Sequence, residues 1–123
     1  STVMVVDDNL IYLREMDGWL RKMGLKTIMA KSGAKCLRIL ERKPVDLIFM
    51  DQMMPEMAGT ETFQKVRRME QERGLKPVPV ILLTADDSVG ARKKYMEYGF
   101  DNYLSKPIEE RLVREEVKKY LRV

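Results

Sequence analysis

Hydrophobic residues recur along the chain in two alternating rhythms. Short runs dense in apolar and β-branched side chains, such as Val3-Met4-Val5-Val6, Leu47-Ile48-Phe49-Met50 and Val80-Ile81-Leu82-Leu83, are separated by stretches in which apolar residues return every three or four positions. The runs fit strands buried on both faces and the stretches fit amphipathic helices, the pattern of a parallel sheet covered on both sides. Five such pairs predict strands over residues 2–6, 26–30, 46–50, 78–84 and 101–105, and helices over 9–23, 33–42, 60–73, 88–98 and 108–121. In the first helix Leu13, Met16, Leu20 and Met23 hold helical spacing and Gly24 follows as a stop. Gly18 interrupts that helix at about 1 kcal/mol against alanine, which a packing contact is expected to explain. Ser88 is the expected cap of the fourth helix and Gly99 its end. Pro77 and Pro79 bracket the entry to the fourth strand, after a polar segment 70–76 read as a surface connection.

Because crossovers between parallel strands are right-handed, the pattern predicts an α/β fold: a three-layer, doubly wound, five-stranded parallel sheet. The order 2-1-3-4-5 is one of its two common solutions. Strands one and three are then neighbours, and Asp7, Asp8 and Asp51, each just past a strand, converge on one carboxyl edge, where open α/β sheets keep their working crevice. Carboxylates at ~4 Å repel by about 4 kcal/mol per pair at an effective dielectric of ~20. A hard divalent cation such as Mg²⁺, which takes oxygen ligands, removes that repulsion.

Size and composition narrow the field. With 123 residues, 45% of them hydrophobic, the chain fits one domain spanning residues 1–123. No apolar stretch approaches a transmembrane span and no signal peptide opens the chain, so a cytoplasmic setting is expected. The single cysteine, Cys36, has no internal partner and sits at core spacing with Gly33, Leu37 and Leu40, which reads as packing. A net charge of +4 raises nucleic-acid binding. Against it, Arg111, Arg114, Lys118, Lys119 and Arg122 are interleaved with Glu109, Glu110, Glu115 and Glu116, with no aromatic stacking platform, which predicts a solvated mixed-charge face.

Thr84 and Lys106 also end predicted strands on the carboxyl edge. Three acids, a hydroxyl and an ammonium are the parts that phosphoryl transfer to a carboxylate needs. Asp51 is the candidate nucleophile, Asp7 and Asp8 hold the metal, and Lys106 and Thr84 bind the oxygens the metal leaves free. Each residue also has a plainer reading. Asp8 could cap the first helix, Asp51 could open a turn, Thr84 could be an ordinary strand residue and Lys106 a surface lysine before a turn proline.

In order, Asp7-Asp8, Met50-Asp51 with Met54-Pro55 and Gly59, Leu83-Thr84-Ala85 and Lys106-Pro107 resemble a response-regulator receiver domain over the full chain. The resemblance implies a flavodoxin-like (βα)5 fold, a phosphorylated Asp51, Mg²⁺ on Asp7, Asp8 and Asp51 with the Met53 carbonyl, and a cis peptide at Lys106-Pro107. It makes Thr84 and Tyr103 a linked switch read out on the 88–121 face, a surface also suited to dimer formation. The resemblance implies a histidine kinase or a histidine phosphotransfer domain as phosphodonor; the chain has no histidine of its own, so the phosphoryl group must come from such a partner or from a small acyl phosphate. Tyr12 and Trp19, with Ile11 pointing away from the core stripe, suit donor docking, or else pack at the core edge. Residues 98–107 resemble hybrid histidine kinase receivers, which suggests a domain of a longer kinase that sequence outside this chain could tether to a membrane, with a free single-domain regulator as the alternative. Ala58, Tyr12, Met53 and Asp86 depart from common family patterns, which bears on phosphoryl lifetime and partner choice.

Three other functions compete. A binding-only receiver would normally lack one of the five groups present here. A phosphatase of the haloacid dehalogenase type expects an acid two places after its nucleophile, where this chain has Met53. A flavin carrier needs a hydroxyl-rich phosphate loop after strand one, where Asp7-Asp8 would repel the phosphate.

Overall fold

A computed structural model describes residues 1–123. The elements are β1 (Thr2–Val6), α1 (Leu10–Lys22), β2 (Lys26–Ala30), α2 (Gly33–Arg42), β3 (Leu47–Asp51), α3 (Gly59–Arg73), β4 (Val80–Thr84), α4 (Ala91–Tyr98), β5 (Asn102–Ser105) and α5 (Glu110–Tyr120). All strand pairs are parallel and the order is β2-β1-β3-β4-β5. Period-two alternation divides the strands between two cores. Val3, Val5, Leu47, Phe49, Ile81 and Leu83 pack under α1 and α5, whereas Met4, Val6, Ile48, Met50, Val80 and Leu82 pack under α2, α3 and α4. No helix is long and apolar enough to cross a membrane.

The register aligns the carboxyl ends. Val6 lies opposite Met50, Asp51 opposite Leu83 and Thr84 opposite Ser105. Backbone bonds extend the ladder one step further, with Asp7 N donating to Ala30 O, Gln52 N to Leu83 O and Lys106 N to Thr84 O.

Several local expectations are corrected. β4 starts at Val80 because Pro79 has no N–H and the Val78 N–H donates to the Glu70 carboxylate instead. Glu70 is therefore a buried residue of α3, 5% exposed and paired with Arg67 at 2.8 Å, not part of a surface connection. Ser88 does not cap α4. Gly90, with φ of 92°, is the cap residue and offers no side chain, while the Ser88 hydroxyl donates to Asp86. Gly18 makes no close packing contact, since a Cβ there would meet nothing within 4 Å. The last helix is not wholly solvated: Glu116 is 3% exposed and accepts from Asn102 Nδ2 and Lys119 Nζ. Cys36 is fully buried, and burial pushes its thiol up to about 12.

Candidate functional site

Asp7 and Asp51 reach the carboxyl edge almost completely buried, at 1% and 2% exposure, while Asp8 is exposed. One carboxylate oxygen from each of the three lies within 4.8 Å of the others. Lys106, following β5, places Nζ 2.8 Å from Asp51 Oδ1 and 3.5 Å from Asp7 Oδ2. Its backbone there includes a cis peptide to Pro107, as the resemblance implies.

Local sequence explains these positions. Asp7 Oδ1 accepts from the Asn9 N–H, and Asn9 Oδ1 in turn caps α1 by accepting from Ile11 and Tyr12. Asn9, not Asp8, is thus the cap, and the Asp8 side chain is left free for other work. After Asp51 the chain loops out and returns at Gly59, whose N–H donates to Gln52 O. A Cβ at Gly59 would sit on the Asp51 carbonyl oxygen, so only glycine allows the N-terminus of α3 to approach this closely. Gln52 closes the loop with its side chain, Oε1 accepting from Thr60 N.

Electrostatics at the edge are unbalanced. Three carboxylates face one ammonium, a surplus of two negative charges when all are ionised. Burial, helped by the Asp51 charge, pushes the Asp7 carboxyl up to about 6 against the pull of the Asn9 N–H and of Lys106. Burial works against the Lys106 charge, but the Asp51 and Asp7 carboxylates outweigh it and raise the ammonium above its usual range. Asp7 Oδ2 and Asp51 Oδ1 are buried and receive no aligned hydrogen bond. Two buried carboxylate oxygens that share a single ammonium, beside an exposed third acid, form a hard-oxygen donor set, which fits Mg²⁺.

Thr84 ends β4 at 3% exposure, its Oγ1 accepting from Asp86 N at 3.1 Å. Asp86 accepts from Ser88 N and Oγ and from the buried Tyr95 hydroxyl, and these bonds, with Lys94 nearby, hold its carboxyl below the usual range. The Tyr95 ring lies 5.9 Å from that of Tyr103, which is half-buried against the α2–α4 core. A contact chain therefore runs from Thr84 through Asp86 and Tyr95 to Tyr103. Met53 is exposed, as are Leu10 and Ile11. Trp19 packs on the α1–α5 core, and Tyr12 stands over Lys106 rather than on an open patch.

The roles of Asn9, Gln52 and Tyr95 were not read from sequence. Asn9 had a local signal, two residues beyond Asp7 and opening an apolar-periodic segment. Tyr95 had none, because its partner Asp86 is joined to it only through tertiary packing.

An acid cluster with one lysine on the carboxyl edge of a 2-1-3-4-5 parallel sheet defines a doubly wound α/β domain with its site at the topological switch point. The chain belongs to the response regulator receiver domain family, whose model matches residues 3–118. It is 35% identical over 118 residues to Sensor histidine kinase GacS of Pseudomonas protegens, covering 96% of this chain and 13% of that protein. To Histidine kinase 3 of Arabidopsis thaliana it is 33% identical over 138 residues, again covering 96% and 13%. The chain thus spans a small part of the relatives it matches. Among solved structures it is similar to a chain in the co-crystal of the Saccharomyces cerevisiae histidine phosphotransfer protein Ypd1 with the receiver domain of its response regulator Ssk1. That match has a TM-score of 0.90 and 28% identity, covering 97% of this chain and 87% of that one. It also resembles the receiver domain of a Pseudomonas aeruginosa sensor histidine kinase, solved with a magnesium ion in its active-site cleft. The TM-score is 0.83 and the identity 27%, covering 97% and 95%.

Proposed function

We propose that this receiver domain takes a phosphoryl group on Asp51 from a phosphohistidine of a histidine kinase or histidine phosphotransfer partner, in a Mg²⁺-dependent reaction. The observation that carries this reading is the Asp51 carboxylate itself, 2% exposed, 2.8 Å from Lys106 and clustered with Asp7 and Asp8. A carboxylate oxygen of Asp51 attacks phosphorus, the P–N bond to the donor imidazole breaks, and an acyl phosphate forms while the imidazole, already protonated on its other ring nitrogen, takes the P–N electron pair and leaves neutral. Asp7, Asp8, Asp51 and the Met53 carbonyl would hold Mg²⁺, which supplies charge neutralisation for the phosphoryl oxygens. Lys106 turns from the carboxylates to a phosphoryl oxygen, and Thr84 gives up the Asp86 N–H to donate its hydroxyl to another.

The new group carries about −1.5 to −2 charges. Two charge-assisted bonds at about 1.5–3 kcal/mol each approach the roughly 5.5 kcal/mol needed to reverse a 1:99 population. Movement of Thr84 would reach Tyr103 through Asp86 and Tyr95 and alter the α4–β5–α5 face, which could also serve as a dimer surface. Exposed Leu10, Ile11 and Met53 beside the acid edge suit the docking of a donor helix. The matching receivers of longer histidine kinases support a hybrid-kinase setting. Incubation with a phosphorylated histidine phosphotransfer protein tests the reading. Phosphoryl passage to the chain with Mg²⁺ and none with EDTA is expected, and passage indifferent to EDTA overturns it.

A further inference from the structure

Lys106 meets carboxylates on one side and an aromatic ring on another. Its Nζ lies 4.5 Å from the centroid of the Tyr12 ring, as well as 2.8 Å from Asp51 Oδ1 and 3.5 Å from Asp7 Oδ2. A ring face carries the negative part of the aromatic quadrupole and attracts an ammonium at this distance. That attraction is weaker than a close carboxylate ion pair, so the ring restrains the cation without drawing it away from Asp51 and Asp7. The backbone of Tyr12 is tied to the same site. Asp7 Oδ1 accepts from Asn9 N at 2.9 Å, and Asn9 Oδ1 accepts from Tyr12 N at 3.4 Å. The half-buried ring therefore stands on the helix end that Asp7 anchors.

We infer that Tyr12 is a positioning residue for phosphoryl transfer, its ring face confining the Lys106 ammonium to the mouth of the acid cluster so that the cation is in place when phosphorus reaches Asp51. The inference rests on the reading of Asp51 as acceptor. A lysine stem loses rotamer freedom each time its head engages an oxygen. A ring that already restricts the stem moves that loss ahead of the transfer step, and productive geometry is reached more often. An aliphatic side chain at position 12 would fill similar space without attracting the cation, so ring and bulk can be separated.

The test uses Tyr12→Phe and Tyr12→Leu, with acetyl phosphate and Mg²⁺ as the phosphodonor system. Tyr12→Phe keeps the ring face and is expected to phosphorylate within about twofold of the parent rate, whereas Tyr12→Leu is expected to be about three- to tenfold slower. A second readout needs no phosphodonor. The methylene protons next to Lys106 Nζ should be shifted upfield by the ring current in the parent and in Tyr12→Phe, and should lose that shift in Tyr12→Leu. A parent rate in Tyr12→Leu overturns the inference, as does Tyr12→Phe falling to the leucine rate, since the hydroxyl would then be the active part. Absence of the upfield shift in the parent overturns it whether or not Asp51 is the acceptor. Labelling of the parent that survives Asp51→Asn strikes instead at the acceptor reading, and the inference falls with it.

Discussion

Lys106 and Asp51, which are 55 positions apart in sequence, meet at 2.8 Å across the carboxyl edge of the sheet. Each arrives at the end of its own strand, β5 for the lysine and β3 for the aspartate, and the β4 strand between them sets their spacing. Lys106 also serves Asp7, so its removal leaves two buried carboxylates without a counter-charge. Lys106→Met is expected to lower stability in EDTA by about 3 kcal/mol, the scale for breaking a buried pair. Mg²⁺ should restore most of that loss and bind the variant more tightly than the parent, because the site has gained net negative charge. Urea unfolding with and without Mg²⁺ reads both effects.

Asp7 gives the site a pH dependence. Its folded-state carboxyl titrates at about 6, above the ordinary value of 3.8, so between those values the folded state binds more protons than the unfolded state. Stability in EDTA must then fall as pH rises from about 4 to 6, by at most about 3 kcal/mol from this group. Asp7→Asn should flatten that slope. Denaturant midpoints for the two proteins at pH 4.5 and 7 supply the comparison, and an equal slope in both would count against the assignment.

Two glycines should respond to alanine with opposite signs. At Gly18 a Cβ meets nothing, so Gly18→Ala is expected to stabilise the chain by about 1 kcal/mol through helix propensity. At Gly59 the Cβ would meet the Asp51 carbonyl, and Gly59→Ala is expected to destabilise by more than that while slowing phosphorylation. Thermal unfolding of the pair and acetyl phosphate labelling of the second check this.

Glu70 shows where sequence reading stops. It stands in a run, Glu70 to Arg73, that reads as solvated charge, yet tertiary packing buries it and uses it for the N–H of Val78 at the entry to β4. Glu70→Ala removes that acceptor and the partner of Arg67, and is expected to cost about 2 kcal/mol, measured by urea unfolding.

The five strands were legible because continuous apolar runs and helical spacing are local signals, whereas their order came only as a common solution of the fold class; once that order holds, parallel topology gathers Asp7, Asp8, Asp51 and Lys106 on one edge. Gly59 was legible as part of a motif, though not for the close approach that demands it. Buried charges such as Glu70 and Glu116 were not, since single side chains of a mixed-charge run look alike until a neighbouring element covers one of them. The start of α4 failed for a related reason. Ser88 is a good cap by type, but Asp86 takes its hydroxyl and Gly90 turns the chain instead.

The acceptor is the centre of the account, and reductive trapping reads it directly. The chain is phosphorylated with acetyl phosphate and Mg²⁺, treated with borohydride to convert the phosphorylated aspartate to homoserine, digested and mapped by mass spectrometry. Homoserine at position 51, and none in protein treated with EDTA or carrying Asp51→Asn, is the predicted result. Conversion at another aspartate, or unchanged labelling in Asp51→Asn, would contradict it.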